Sequence, residues 1–243
     1  MSPIVEFRQY QLHPSHTALY TEATYDSAPL RKTLPLAFFG FPETGAIPLN
    51  TAVHLYHFEG GHKQRLEQRA ALAKRDEWKD YLGKVKACMI QQSSGIFVEA
   101  GIVKDFEQVP GLAAICNDDS ISSNGSTKSI IEFRKYKLQL GYDTVPKFLD
   151  LYSEALPSKL NAEGTHPTTQ LVTVLVSDIC SLNAVYEVWK HGEDSVCGME
   201  AQEQSRVASR TANEWRAGIA EIAKLTVSFE STVLKPALFS PLR

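Results

Sequence analysis

The chain has 243 residues, of which 43% are hydrophobic and 22% charged, and its 28 acids against 25 bases leave a net charge of −3. That is the composition of a folded globular chain with one large domain or two small ones, and it offers no basic surplus for nucleic acid. The longest apolar stretch, residues 171–176 and interrupted by Thr173, is far shorter than the roughly 18 residues that span a bilayer, and the four cysteines show no C-x-x-C spacing, so no membrane span, zinc finger or thioredoxin-type site is expected.

From the N-terminus, Val5, Phe7 and Gln9 alternate with Glu6, Arg8 and Tyr10, the period of two that a strand requires. A less regular helix is predicted over residues 15–28 before Pro29, then a strand over 36–41. Gly40 to Gly45 reads as a turn or hairpin, and a second strand follows over 51–58. The long stretch 62–85 is helical, and the acids Asp76 and Glu77 restart it ahead of a core Trp78. A strand over 89–99 closes the first half. Residues 117–129 hold one large apolar residue and no aromatic, which is linker composition. Beyond them come a strand over 130–138, a helix behind Asp143 carrying Val145, Phe148, Leu149, Tyr152 and Leu156, strands over 170–176 and 184–190, helical structure over 198–225 and a strand over 226–234.

The two halves match. Ile4-Val5-Glu6-Phe7-Arg8-Gln9-Tyr10-Gln11-Leu12 recurs 126 residues later as Ile130-Ile131-Glu132-Phe133-Arg134-Lys135-Tyr136-Lys137-Leu138, with six of nine positions identical. Leu49-Asn50 corresponds to Leu182-Asn183, Tyr56 to Trp189, Arg69 to Arg206 and Glu77-Trp78 to Glu214-Trp215. The expected fold class is therefore α+β, with two ferredoxin-like βαββαβ repeats at 1–105 and 130–243 joined through a linker at 106–129. Each repeat leaves one sheet face uncovered, so the two are expected to pack on each other as an intramolecular dimeric α+β barrel, the alternative being two ferredoxin-like domains with separate partners.

These residues resemble the NIPSNAP family. The resemblance is carried by Glu6-x-Arg8-x-Tyr10, Pro48-Leu49-Asn50, Val53 to Tyr56, and the Arg-Ala-Ala-Leu-Ala-Lys run from Arg69 that leads through Glu77-Trp78 to Tyr81-Leu82. It is weaker in the second half, where Glu187 stands in place of His54. The resemblance implies the dimeric α+β barrel, a superfamily that includes cofactor-free monooxygenases, haem-degrading enzymes and isomerases. It also implies an association with mitochondria, although the opening residues carry no visible leader and by themselves predict a cytoplasmic protein.

Alternation places Glu6, Arg8 and Tyr10 on one face of the first strand and His54, Tyr56 and Phe58 on one face of the third. If register joins those faces, a central cleft forms in which Arg8 holds an anionic or enolisable molecule and His54, Tyr10 or Tyr56 serves catalysis by moving a proton. Glu6, Arg8, Glu132, Arg134 and Tyr136 are the expected ligand-binding set. The competing reading makes the Glu and Arg pairs a salt-bridged network buried where the barrel halves meet. His54 and His57 point to opposite faces and cannot share a metal, no cofactor is expected, and the basic residues from Lys63 to Lys86 read as a solvated helix face. The four thiols are expected to be reduced and mostly buried.

Two functions follow. The first, by resemblance, is a non-catalytic interaction or adaptor protein, homo-oligomeric through unpaired edge strands, with a protein partner and a mitochondrial link. The second is a cofactor-independent enzyme of monooxygenase, isomerase or cyclase type that acts on a small hydrophobic or anionic ligand in the polar cleft.

Overall fold

The computed structural model describes residues 2–117, 128–193 and 196–243. The first half runs β1 (Ile4–Leu12), α1 (Thr17–Asp26), α2 (Ala28–Arg31), β2 (Leu36–Gly45), β3 (Thr51–Phe58), α3 (Gly61–Ala73), α4 (Asp76–Val85) and β4 (Met89–Glu99). Two short helices follow, α5 (Ile102–Asp105) and α6 (Gly111–Asn117). The second half runs β5 (Ile130–Leu138), α7 (Thr144–Leu160), β6 (Gln170–Ile179), β7 (Ala184–His191), α8 (Gly198–Ser209), α9 (Asn213–Leu225) and β8 (Thr226–Pro236).

The strands close into a barrel in the order β1-β3-β2-β8-β5-β7-β6-β4. It is made of two arcs, β4-β1-β3-β2 and β8-β5-β7-β6, joined at β2–β8 and β4–β6. Both joins leave strand backbone paired that the sequence reading had as free edges. Edge pairing with a second chain therefore loses most of its physical basis.

Alternation sorts the side chains into three cores. Val5, Phe7, Val53, Leu55, Phe133, Val188 and Leu234 point inward and form an interior to which both arcs contribute. Tyr10, Tyr56 and Phe58 point outward and meet Tyr20 of α1 and Tyr81 and Val85 of α4. Tyr136, Val185 and Trp189 likewise meet Phe148, Tyr152 and Leu156 of α7 and Trp215 and Ile222 of α9.

Two local readings change. Residues 40–45 are not a turn but the end of β2, paired with β8. Pro42 is accommodated there because the register shifts at a bulge between Pro42 and Thr44. Gly45 has a φ of 123°, and a Cβ on it would lie 2.4 Å from the Ser231 carbonyl oxygen, so only glycine fits that crossing. The stretch 106–129 is not connector throughout, because α6 sends the fully buried Leu112 into the barrel interior. The Leu112 amide and the Thr173 hydroxyl both donate to Glu99 Oε1, at 2.8 and 2.6 Å, and His57 Nε2 lies 3.6 Å from Glu99 Oε2. Residues 118–127, within the proposed linker, lie outside the described residues. All four thiols are free, but only Cys88 is fully buried and Cys180 is exposed.

Because the interior belongs to both arcs, its loss should be felt by the whole chain. Phe133 meets Phe7 and Phe38 at ring-centroid distances of 5.6 Å each, and Phe133→Ala should cost about 3–5 kcal/mol. Calorimetry should show one transition moved down as a unit; two separated transitions would contradict a shared core.

Candidate functional site

Register does join the two faces. Glu6 lies opposite Tyr56 and Arg8 opposite His54 across β1 and β3, so Glu6, Arg8, Tyr10, His54 and Tyr56 share one surface. That surface is the outer one. The cluster sits between the sheet and the helices rather than in a central cleft, and the Glu and Arg pairs are not buried where the arcs meet. The physical reason is that Val5, Phe7 and Gln9, together with Val53, Leu55 and His57, take the inward positions, and the alternation then forces the polar set out.

The floor of this layer is Arg31, at the end of α2 and 3% exposed. Its Nη1 donates to Tyr56 Oη at 3.1 Å and to His54 Nδ1 at 3.2 Å, and its Nη2 donates to Tyr81 Oη. A guanidinium only donates, so His54 Nδ1 is an acceptor and the ring proton sits on Nε2, facing Tyr20 Oη at 3.4 Å. Tyr81 can then donate to Thr24 Oγ1 at 3.0 Å. The guanidinium carbon also lies 4.9 Å from the Tyr81 ring centroid and 5.6 Å from that of Trp78. Arg31 Nε has no hydrogen-bond partner, and no carboxylate among the described residues pairs with this guanidinium.

Burial, followed by the nearby Arg31, Arg8 and Arg69 charges, holds the His54 imidazole well below its usual range. It is therefore neutral at physiological pH, and its one lone pair is already engaged by Arg31. Burial also raises the Tyr10 and Tyr20 phenols, so neither of these supplies a negative charge to the layer.

The rim is built around Glu6, which is fully buried. Its Oε1 accepts from Arg65 at 2.7 Å and Ser94 at 2.8 Å, and its Oε2 accepts from Arg69 Nε at 3.0 Å. Burial alone would raise this carboxyl, but the bonds from Arg65 and Arg69 outweigh it and hold it low. Arg8 stands farther off, 3.8 Å from Glu6 and stacked 5.2 Å from the Tyr10 ring centroid. Three guanidiniums thus surround Glu6, while the fourth of the layer, Arg31, is bonded to His54, Tyr56 and Tyr81 instead. Arg69→Ala should destabilise by about 1–3 kcal/mol, since it removes a charge-assisted bond yet leaves Glu6 with Arg65 and Ser94. Arg8→Ala should cost less, and Arg75→Ala should stay within about 0.5 kcal/mol. Melting curves in that order check the assignment.

The second half uses the same plan with different charges. Glu132 accepts from Arg134 at 2.9 Å, Arg206 at 3.2 Å, Ser231 at 2.7 Å and His191 at 3.2 Å. Burial opposes its ionisation, and His191 and Arg134 overcome that and keep the carboxyl low. Opposite Arg134 stands Glu187, where the first half has His54. Glu187 accepts from Tyr136 at 2.6 Å and from the Trp189 indole, and it lies 3.6 Å from Lys159 Nζ. Lys159 projects from α7 to 3.7 Å from the Trp189 ring centroid and 4.4 Å from that of Trp215. Burial, and then Arg134, pull this ammonium down to about 7 against the support of Glu187. Three basic side chains thus meet two carboxylates here, and one of the bases gives up its charge near neutrality.

The sign of the Lys159 contribution follows from that depression. Between about pH 7 and 10 the folded state binds fewer protons at this site than the unfolded state, so the group adds stability as pH rises. The stability difference between the parent and Lys159→Met should therefore move in the parent's favour across that window in denaturant titrations. A constant difference would place the lysine in water.

Each of the expected site residues, His54, Tyr10, Tyr56, Glu6 and Arg8 in one half and Glu132, Arg134 and Tyr136 in the other, lies in one of these two layers. Arg31, Arg65, Arg69, Glu187 and Lys159 were not in the expected set. Arg65 and Arg69 belong to the helix read as a solvated basic face, and they turn inward to Glu6. The correspondence of Arg69 with Arg206 was the available signal, since the two occupy the same place on Glu6 and Glu132. Among the described residues no three His, Cys, Asp or Glu side chains gather as metal ligands, and no helix is long and apolar enough to cross a membrane.

An eight-stranded barrel of two four-stranded arcs with helices on its outside defines an α+β barrel protein. Residues 5–102 match the NIPSNAP family model. Over nearly its whole length the chain is similar to a proposed monooxygenase from Fusobacterium nucleatum subsp. nucleatum, with 10% identity, a TM-score of 0.61, and coverage of 97% of this chain and 92% of that one. It is similar also to a proposed monooxygenase from Lactobacillus acidophilus NCFM, with 12% identity, a TM-score of 0.58 and coverage of 97% and 94%. An anthrone oxidase-like protein matches at 9% identity and a TM-score of 0.52, with coverage of 98% and 92%. These likenesses are of fold. No curated protein matches the sequence.

Proposed function

We propose that the first half of the chain binds a small, weakly acidic organic molecule as its anion, in the layer between β1, β3 and the overlying helices, as the opening step of cofactor-independent chemistry. The observation that carries this reading is the charge imbalance. A guanidinium that is 3% exposed and has no carboxylate partner is costly to bury, and the remaining imbalance at Arg8, Arg65 and Arg69 adds to it. An anion seated against Arg31 and Arg8 removes that cost. The three half-buried arginines of the rim, with side chains 22 to 23% exposed, face the side from which such an anion would come. Cations in a low-dielectric layer favour the conjugate base of a phenol, enol or carboxylic acid, and its proton passes to solvent on binding. In this reading His54 orients Arg31 through Nδ1, and Tyr10 and Tyr56 form the walls.

The descriptions of the fold neighbours favour this reading over the interaction role that the resemblance implied, since the latter draws on no residue of the layer. We read the second half, with the boundary at 106–129, as a copy of the first in which Glu187 supplies internally the negative charge that a ligand supplies to the first. The shared strand order and the matched Glu132, Arg134 and Arg206 support that reading.

The probe is 4-nitrophenol, whose visible absorbance reports its ionisation. The protein should bind it and lower its apparent pKa. His54→Glu, which gives Arg31 the carboxylate that Glu187 gives Lys159, should weaken binding at least tenfold while melting no lower than the parent. Arg31→Met should do the same to binding. Absence of a spectral shift in the parent, or undiminished binding by a folded His54→Glu protein, would overturn the assignment.

A further inference from the structure

The two seams that close the barrel are not equivalent. At the β2–β8 seam, Ile47 lies against the interior core, and the Ala46 and Ile47 amides both donate to Thr232 Oγ1, at 3.1 and 3.2 Å. The offset that relates Leu49-Asn50 to Leu182-Asn183 relates Ile47 to Cys180. At the β4–β6 seam, pairing runs only from Ile96 to Glu99 on β4, so the strands part before Gly95. Cys180 there is exposed and does not reach the core as Ile47 does. A pocket of about 150 Å³ opens at that place into the barrel mouth.

Phe7, Phe97 and Tyr186 form its floor, with ring centroids 5.3 to 6.0 Å apart and two of the three pairs edge-on. Their arrangement offers both ring faces and ring edges to a further ring. A space of about 150 Å³ is enough to hold benzene. Gly95 keeps the wall low, because a Cβ there would come within 3.0 Å of the Phe97 ring and 3.1 Å of Cys180 Cβ. The rim is polar, with Gln9, Ser93 and Ser181, and it carries one cation, Lys135. The Lys135 Nζ is 3.5 Å from Glu230 Oε2 in a pair whose side chains are 31% and 44% exposed, an arrangement weakly held in water and open to exchange for another carboxylate.

We propose that this mouth of the barrel is a second binding site, for a single-ring aromatic carboxylate whose ring rests on Phe7, Phe97 and Tyr186 and whose carboxylate reaches Lys135. The site lies on the inward face of the sheet, opposite to the arginine-rich layer, and stands independently of the function proposed for that layer.

Benzoate and benzyl alcohol are the probes, titrated by isothermal calorimetry and by NMR of the Phe97 and Tyr186 ring protons. Benzoate should shift those protons. Cys180→Ile, which places in this mouth the residue that fills the other, should weaken benzoate at least tenfold and melt no lower than the parent. Ala184→Leu fills the same space from β7 and should act likewise. Lys135→Met should weaken benzoate several-fold and leave benzyl alcohol unchanged. Benzoate binding that survives in both filled variants, or no perturbation of the floor rings at millimolar benzoate, would overturn the proposal.

Discussion

In each half, a buried carboxylate on the outer face of the central strand is gripped by an arginine from the helix above it. Arg69 reaches Glu6 and Arg206 reaches Glu132, and in each case a serine from the neighbouring strand, Ser94 or Ser231, completes the shell. A carboxylate taken out of water must be satisfied at both oxygens. That requirement fixes where α3 and α8 can lie on the sheet, beside the apolar cores that α1 and α7 make around Tyr20 and Tyr152. The layers whose chemistry differs between the halves are thus built on the same pin.

What differs is the charge around that pin. With His54 in one half where Glu187 stands in the other, Arg31 meets an imidazole and Lys159 a carboxylate. A buried lysine can respond by giving up its proton, and Lys159 comes close to doing so at neutral pH. A guanidinium has no such escape. Arg31 is held by phenols, an imidazole and aromatic faces, which solvate a cation without neutralising it.

Much of this was legible in the sequence. The alternation from Val5 to Tyr10 and its recurrence at Ile131 to Tyr136 place strands whose ends agree with the structure, and β3 and β4 occupy the residues that their patterns predicted. The restart of the long helix at Asp76 was legible because acids favour a first turn. What alternation cannot say is which side of a sheet becomes the inside, since each face of β1 carries aromatic residues. The barrel interior was chosen by tertiary closure, and the polar face went under the helices as a result. Arg31 escaped notice for a related reason. It ends a four-residue helix with no periodic pattern, and its burial arises from residues 23 to 50 positions away in the chain. Arg65 and Arg69 were hidden among lysines that do face water.

Closure of the barrel also sets an order of events during synthesis. β2 is completed against β8, and beyond β8 the Leu242 amide donates to the Ala37 carbonyl at 2.9 Å while the Leu242 side chain lies in the interior core. Ser240 Oγ accepts from the Phe39 amide at 3.0 Å. Phe39 and Ser240 stand 201 residues apart, so these partners of the first half are made well after it. While the ribosome holds them, the inward aromatic face of the first arc has no second arc to rest on, and β2 lacks its outer neighbour. Until the second arc and residues 240–242 have emerged, the inward rings of Phe7, Phe38 and Phe97 lack the second-half side chains that cover them, and uncovered apolar surface of that kind is what chaperones bind.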